Sequence, residues 1–523
     1  MRRAPVVAGV LTVWVGLLSA GALAQPVLFY EVESSWESSQ KRENRVREPM
    51  RGELDAKAES GLPQRNVRID LDRLAAIRKD IDAHQAPPRV VLNLLEDVRF
   101  QAVFEDTAPT LWGYSLSGRL EGERFGTVTV VVHGDIVAGM VRTASGTYSI
   151  RSVGIGVHVV EKVQRPTLDA DDAILPPASA VTSAQPSVPS PQEDDGSEID
   201  VFVFYTPAAR AALNGTRRAR AQIELAFVET NAAYEAGGAV QRIRLVGAVE
   251  TRYEETDRAY TDNPFEDLYR FRHVDDGHMD EVHLIRDAYA ADLAHLVTEK
   301  GAGVAFVSPY DDTHAFARTG VTFDRVSSST LAHELGHNMG LQHDRYSPYN
   351  QLNYPFPYSH GYVNQRAFED GAPAGTCFQT IMAYFNQCAS AGLSGPELMR
   401  FSNPNQYYPN ADGDPMGVPG DDPSEEVDGP ADAVRSLNET RMSVANFRKS
   451  ANRCSYRLAQ AGDERITVDV DGGSFNVGVR VSDGCPFEAI SHDEFVELST
   501  SPTDEGVEVA FGSQGTTVVR ASG

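Results

Sequence analysis

One short stretch of the chain carries residue types that can hold a metal ion and activate water. His333 and His337 are four residues apart, so on a helix they stand one turn apart on the same face and can share an ion. Glu334 sits beside the first histidine, where its carboxylate can reach a water on that ion. Gly340 can end the helix, because glycine adopts a left-handed conformation without steric cost, and the chain can then return His343 as a third ligand. Three imidazoles leave the fourth position of Zn²⁺ for water, which is the arrangement of a catalytic site.

The stretch ends at Asp344 and fits the pattern HExxHxxGxxHD. This pattern resembles that of the metzincin metallopeptidases, and its last residue resembles the reprolysin branch. The resemblance implies Zn²⁺ as cofactor, Glu334 as general base and a Met-turn below the metal, where Met382 fits. Tyr384 lies where some metzincins place a tyrosine that stabilises the oxyanion, and a packed aromatic ring is the alternative. Asp344 is expected to orient a ligand or a helix end, against the alternative of an exposed carboxylate.

The similarity extends beyond the metal motif. The chain resembles secreted bacterial reprolysin-like proteases of the peptidyl-Asp metallopeptidase kind, which implies hydrolysis of protein or peptide substrates and a preference for sites beside acidic residues. A pocket for acidic side chains needs a cation, and Arg400 is the nearest basic residue after the Met-turn. A surface arginine is the alternative for that residue. The segments that carry the resemblance are 199–207, 360–362, 401–404, 437–440 and 444–448.

The elements that must position these residues follow an α/β pattern. Apolar runs alternate with helical spacing before the metal motif, and Gly237-Gly238 ends the long helix. We therefore expect a metzincin zinc-protease domain of the α/β (α+β) class over residues 198–450. The predicted strands are 199–205, 243–249, 292–298 and 304–307, and the predicted helices are 216–235 and 279–288.

The residues before this domain predict export and a separate N-terminal region. Residues 1–24 combine Arg2 and Arg3, an apolar run and a small-residue cleavage pattern, which is typical of a signal peptide and predicts a secreted, extracellular protein. Residues 25–164 form a predicted prosegment with a flexible entry segment up to about residue 66, a helix over 70–83 and a β-rich core over 89–163. This core resembles the propeptide of the same proteases, which implies a zymogen. The predicted strands of the core are 90–95, 100–104, 111–120, 127–132, 136–141 and 153–160.

Residues 165–197 contain six prolines and no aromatic residue, which is typical of an extended linker that proteases cut easily. We expect activation by a cut there. Residues 25–376 contain no cysteine, so a thiolate cannot block the metal in a precursor. A carboxylate, or occlusion by the 89–163 core, would have to do so.

The four cysteines of an exported chain are typical of disulfides, with free thiols as the alternative. Pairing nearest neighbours is the simplest of three arrangements and gives Cys377–Cys388 and Cys454–Cys485. Residues 454–523 contain short β-type runs and predict a C-terminal β-sandwich. This region resembles a BACON-type bacterial β domain, which implies a spacer, or a targeting domain for carbohydrate or glycoprotein.

The net charge of the chain limits the classes of binding partner that remain. The formal net charge is −27, and loss of the signal peptide makes it −29 because that segment holds two arginines and no acid. So acidic a chain repels phosphate backbones, which argues against nucleic acid, and no mature segment reaches the length of a membrane span. The acidic loop over 412–428 is expected to be solvated, with Ca²⁺ binding as the alternative.

The leading interpretation is a secreted zinc metalloendopeptidase with flanking β domains. The rivals are a surface adhesin or carbohydrate-binding protein with a non-catalytic metzincin-like domain, and a zinc enzyme acting on a non-protein substrate. The intact Glu334 favours an enzyme, since a relic domain needs no general base.

Overall fold

The fold was taken from a computed structural model of the full chain. It describes residues 27–31, 63–143, 145–163, 173–174, 194–256, 265–322, 325–347, 353–369, 371–372, 375–384, 388, 391–393, 395–396, 398–409, 413–423 and 426–449, and strands at 456–458, 473–477, 479–481, 496–500 and 507–511. The predicted signal peptide (residues 1–24), most of the predicted linker (165–197), Cys454 and Cys485 lie outside these residues. None of the helices within the described ranges has the length and apolar character needed to cross a bilayer.

The N-terminal region forms one antiparallel sheet of nine strands in the order β1-β2-β9-β8-β7-β6-β5-β4-β3. The helix α1, Leu71–Asp82, begins after Asp70, whose side chain accepts a hydrogen bond from the Arg73 N–H, and buries Leu74 and Ile77. The strands are β1 Phe29–Glu31, β2 Gln64–Ile69, β3 Arg89–Asn93, β4 Arg99–Pro109, β5 Tyr114–Leu120, β6 Thr127–His133, β7 Ile136–Thr143, β8 Gly146–Gly154 and β9 Val157–Val163.

This sheet differs from the sequence expectation in two places. The single strand predicted over 153–160 is wrong, because Gly156 has a φ of +66° and the chain turns there between β8 and β9. The sheet also begins earlier than residue 89. Phe29–Glu31 pairs with β2 inside the segment predicted to be flexible, and the buried Phe29 contributes to the core.

The second sheet has the strand order β10-β14-β15-β13-β11-β12, and a mixed α/β fold is confirmed. Strands β11, β12, β13 and β15 are parallel, whereas β14 runs antiparallel to β15 and β10 pairs parallel with β14. The strands are β10 Ala173–Ile174, β11 Glu198–Tyr205, β12 Arg242–Glu250, β13 Leu293–Thr298, β14 Val304–Phe306, β15 Phe316–Thr322 and β16 Arg325–Val326.

The longest helix lies between the two sheets. This helix, α3 (Thr216–Gly237), places Ile223, Phe227 and Tyr234 in the core of the second sheet. Its opposite face packs Ala221 and Leu225 against the N-terminal sheet. It ends at Gly238, which is left-handed. The helices after α1 are α2 Pro207–Ala212, α3 Thr216–Gly237, α4 Glu266–Arg272, α5 Glu281–Ala288, α6 Ser328–Asn338 and α7 Ala433–Val444.

The last part of the chain contains further short strands. Asn403–Tyr407 (β17) pairs with Pro415–Met416 (β18). In the C-terminal region β19 pairs with β21, and β20, β23 and β22 form a three-stranded sheet. The bounds are β19 Tyr456–Leu458, β20 Gly473–Val477, β21 Val479–Val481, β22 Val496–Thr500 and β23 Val507–Phe511, and the predicted run 465–470 lies outside the described residues.

Candidate active site

Three histidine side chains converge in the buried centre of the second sheet's domain. Helix α6 begins at Ser327, whose hydroxyl accepts a hydrogen bond from the Thr330 N–H, and carries His333 and His337 on one face. The Nε2 atom of His343 lies 3.1 Å from Nε2 of His337 and 3.2 Å from Nε2 of His333. Within the described parts of the chain, these three form the group of potential ligand side chains that could hold an ion.

The other ring nitrogens fix which atoms face the centre of this cluster. Nδ1 of His333 lies 2.8 Å from the carbonyl of Ile381, and Nδ1 of His337 lies 2.8 Å from the carbonyl of Leu341. A carbonyl only accepts, so each Nδ1 carries the proton and each Nε2 presents a lone pair to the centre. Neutral acceptors so close together repel one another unless a cation lies between them. Zn²⁺ at about 2.0–2.1 Å from three nitrogens in tetrahedral geometry would set them about 3.3–3.4 Å apart, so the residues fit this ion.

Glu334 is fully buried beside this cluster and lies against the residue that leads into β14. A Cβ built on Gly303, just before β14, would fall 1.7 Å from Oε1 of Glu334, so only glycine permits the observed approach. Asn338 on the same helix donates through Nδ2 to the carbonyls of Phe306 and Phe316, at 2.9 and 3.0 Å. Helix α6 is thereby fixed to β14 and β15. The sequence interpretation missed both Gly303 and Asn338, and a polar residue within a helix that is buried on all sides was the available signal for the second.

Met382 packs beneath helix α6, and glycines make room for it. A Cβ on Gly336, between the two helical histidines, would lie 2.7 Å from Sδ of Met382, and one on Gly361 would lie 2.5 Å from its carbonyl carbon. Gly340 follows the helix with a φ of +96°, where a side chain would be strained. The chain reverses at this glycine and returns towards the cluster.

Asp344 connects the third histidine to the Met-turn segment. Its Oδ2 accepts a hydrogen bond from the Tyr384 N–H at 2.9 Å, and its Oδ1 accepts one from the Tyr346 N–H at 3.0 Å. Burial raises the pKa of Asp344 to about 6, against the lowering effect of these two N–H groups. The Tyr384 ring lies 4.2 Å from the His343 ring and 6.4 Å from the His333 ring, measured between centroids. Its side chain therefore stands beside the cluster.

The structure places the guanidinium of Arg400 at the end of α3. It donates to the Ala236 carbonyl and, at 3.1 Å, to Oε1 of Gln406, and it lies 4.6 Å above the Phe125 ring of the N-terminal sheet. The backbone carbonyl of Arg400 accepts a hydrogen bond from the Ile381 N–H at 2.9 Å. The main chain of this residue thus meets the Met-turn while its side chain is engaged elsewhere.

A disulfide and a buried carboxylate hold the loops around the Met-turn. Cys377 and Cys388 are bonded to each other. Asp414, from the acidic loop, is buried and accepts hydrogen bonds from Asn364 Nδ2 at 2.9 Å and from the Arg366 guanidinium. These contacts give Asp414 a structural role among the described residues of that loop.

Comparisons with known proteins agree with this geometry. Residues 220–344 match the family described as metallo-peptidase family M12B, reprolysin-like. A peptidyl-Asp metalloendopeptidase of Xanthomonas campestris pv. campestris is 32% identical over 329 residues, which cover 61% of this chain and 69% of that protein. Two proteins of the same name from Stenotrophomonas maltophilia, strains R551-3 and K279a, are 31% and 30% identical, over 62% of this chain and 70% of each relative. The chain therefore belongs to the reprolysin-like metallopeptidases and is an enzyme of the zinc metalloendopeptidase class.

Proposed function

We propose that the protein is a secreted zinc endopeptidase in which His333, His337 and His343 hold Zn²⁺ and Glu334 is the general base. The observation that carries this proposal is the convergence of three histidine Nε2 atoms beside a fully buried carboxylate, with Nε2 of His343 within 3.2 Å of the other two. When bound, Zn²⁺ supplies Lewis acidity, which lowers the pKa of a water and polarises the substrate carbonyl.

The chain's own residues carry the protons. Glu334 accepts the proton of the attacking water and delivers it to the leaving amine. Because Gly303 and helix α6 enclose its carboxylate, it is held at one position and excluded from bulk water. The Tyr384 hydroxyl is proposed to donate a hydrogen bond to the oxyanion, which the position of its ring beside His343 supports.

The test replaces Glu334 by Gln, which keeps the shape of the side chain and removes its basicity. We expect peptide hydrolysis to fall about 10²–10⁴-fold while zinc content, measured by elemental analysis, stays at one ion per chain. Glu235→Gln, on an exposed part of α3, is the matched control and should keep full activity. Activity that survives both Glu334→Gln and a chelator would refute the mechanism, whereas a wild-type chain that binds zinc but hydrolyses no peptide would favour a non-catalytic adhesin.

We further propose that the enzyme prefers sites beside acidic residues. The relatives' name, peptidyl-Asp metalloendopeptidase, supports this preference. Arg400 remains our candidate for the pocket cation, although its side chain would have to exchange its contact with the Ala236 carbonyl for a substrate carboxylate. Proteomic cleavage profiling of Arg400→Ala decides the point, because an unchanged acidic preference removes Arg400 from the pocket.

The flanking regions are proposed to serve delivery and latency. Residues 1–24 would direct export, and residues 25–164 would be a prosegment that keeps the precursor inactive until the linker is cut. The docking of the N-terminal sheet on α3 supports a prosegment that folds with the enzyme. The C-terminal strands are proposed to be a β-sandwich that acts as a spacer or binds carbohydrate or glycoprotein. Glycan-array binding of the wild-type chain tests the last role.

A further inference from the structure

Two residues of the linker pair with the edge of the catalytic sheet. Ala173 aligns with Ala305 and Ile174 with Phe306 in parallel register, and the Val307 N–H donates to the Ile174 carbonyl at 2.8 Å. The Ile174 side chain is half-buried against the apolar cluster that includes Phe306. The pairing therefore combines backbone hydrogen bonds with burial of one apolar side chain.

Ala173 and Ile174 cover β14, the strand beside the proposed catalytic carboxylate of Glu334. Gly303, directly before β14, contacts Glu334, and Asn338 fixes helix α6 to Phe306 within β14. An extended peptide gains its backbone hydrogen bonds by adding to an exposed sheet edge. The outer edge of β14 is therefore where a peptide substrate would gain such bonds while its scissile bond reaches Glu334.

We propose that Ala173–Ile174 is an autoinhibitory strand that occupies the substrate-pairing edge of β14 in the precursor. This inference rests on the proposed zymogen and assigns its latency to competition for backbone hydrogen bonds. A metal-bound thiolate or a prosegment domain lying over the histidines is then unnecessary.

A two-residue strand binds weakly alone, but this one is tethered to the N-terminal sheet, which is docked on α3. Val163 ends β9 only ten residues before Ala173, so the strand is held near β14 at high effective concentration. The N-terminal sheet is anchored on helix α3 by two polar contacts. Arg142 pairs with the buried Glu229 at 2.7 Å, and the Trp112 N–H donates to Glu224 at 2.8 Å. The contact between the N-terminal sheet and α3 thus supplies the binding affinity, and the short strand prevents substrate from pairing with β14.

The test compares precursors that differ only at this strand. Ile174→Asp places a charge against the apolar cluster and should weaken the pairing. Ile155→Asp makes the same change at a side chain that is 76% exposed in the β8–β9 turn, and serves as control. The reference is a precursor with specific protease sites inserted after Arg165 and after Ser187, so that cutting releases the strand as a peptide. Initial rates on a fluorogenic peptide are measured while mass spectrometry shows that each uncut precursor is intact.

We expect the wild-type and Ile155→Asp precursors to be latent, and Ile174→Asp to gain at least tenfold towards the activity of the released form. Suppose the wild-type precursor is latent, the released form is active and Ile174→Asp is as latent as the wild type. This result would contradict the autoinhibitory strand and would leave the proposed zymogen intact. A wild-type precursor as active as the released form would overturn the zymogen itself.

A second measurement adds the synthetic peptide of residues 168–179 to the released enzyme. Competition for the edge of β14 predicts a higher apparent KM with unchanged kcat, and no such effect from the same peptide carrying Ile174→Asp. Inhibition that lowers kcat at constant KM, or that is equal for both peptides, would contradict the proposal.

Discussion

The catalytic domain contacts the N-terminal sheet, our proposed prosegment, and the segment that follows it through surfaces that are built in opposite ways. On the helix side, β6 and β7 bury Val131 and Ile136 against Ala221 and Leu225 of α3, and charged groups are paired around this apolar patch. On the edge side, the described contact is a two-residue strand beside β14. Under our proposal, one contact holds the prosegment and a different contact blocks the cleft. Changes on the edge side should alter chemistry without loosening the prosegment, and changes on the helix side should do the reverse.

The largest expected effect lies on the edge side, at Gly303→Ala. The new methyl group would overlap Oε1 of Glu334, so the carboxylate must leave its position. Loss of a positioned general base lowers kcat about 10²–10⁴-fold. The histidines are untouched, so zinc content should be normal. The prosegment should also co-elute with the catalytic domain after the linker segment is released.

The control for this glycine is Gly154→Ala. A Cβ at that position would lie 3.8 Å from Cβ of Val157, an ordinary contact, so activity should be unchanged. A Gly303→Ala enzyme with wild-type kcat would show that Glu334 can act from another position. Loss of zinc together with activity would show instead that the edge strand supports the whole cluster.

The next effect lies on the helix side, at Arg142→Ala. Glu229 has a side chain only 4% exposed, and removal of its partner leaves a buried charge uncompensated. Such losses cost about 3 kcal/mol, which weakens the affinity of the prosegment about 100-fold once the linker segment is released. Surface plasmon resonance measures this change, while kcat of the free catalytic domain should be unaffected. Arg119→Ala breaks an exposed pair with Glu105 and should change affinity less than fivefold; equal effects of the two variants would contradict the distinction.

The sequence predicted what local spacing determines, and missed what depends on contact between distant segments. The positions of His333, His337 and His343 follow from one helix and one turn, so eleven residues sufficed to predict their convergence. Gly303 precedes Glu334 by 31 residues, and its role exists only because β14 approaches α6 closely. Ala173–Ile174 lies in a proline-rich segment whose composition indicates a linker, and its pairing arises from the sheet edge rather than from its own propensity.

A smaller effect is expected in the apolar patch, at Leu225→Ala. Leu225 is fully buried between α3 and the N-terminal sheet, and truncation leaves a cavity that costs about 2 kcal/mol. We expect a 10–50-fold loss of prosegment affinity and a lower melting temperature of the precursor. Leu284→Ala makes the same change at a side chain that is 74% exposed and should leave both values unchanged. Unaltered affinity in Leu225→Ala would show that the charged pairs alone hold the prosegment.

The smallest effect concerns pH and Glu224→Gln. Burial raises the pKa of Glu224 above its ordinary value of 4.5, against the lowering effects of the Trp112 N–H, the Thr110 side chain and the nearby Arg220. The docked state therefore binds a proton more tightly than the separated state does. This contribution to affinity is complete below pH 4.5 and is lost as pH rises through the raised pKa.

The affinity of the prosegment is measured from pH 4 to 8. In the wild type, Glu224 should make this affinity fall less than tenfold over that range, and the Glu224→Gln variant should lose that part of the pH dependence. Glu105→Gln, on the exposed pair, should keep the wild-type slope. If the slopes of the wild type and Glu224→Gln coincide, another group sets the pH response of the helix side, and the burial of Glu224 has no energetic link to docking.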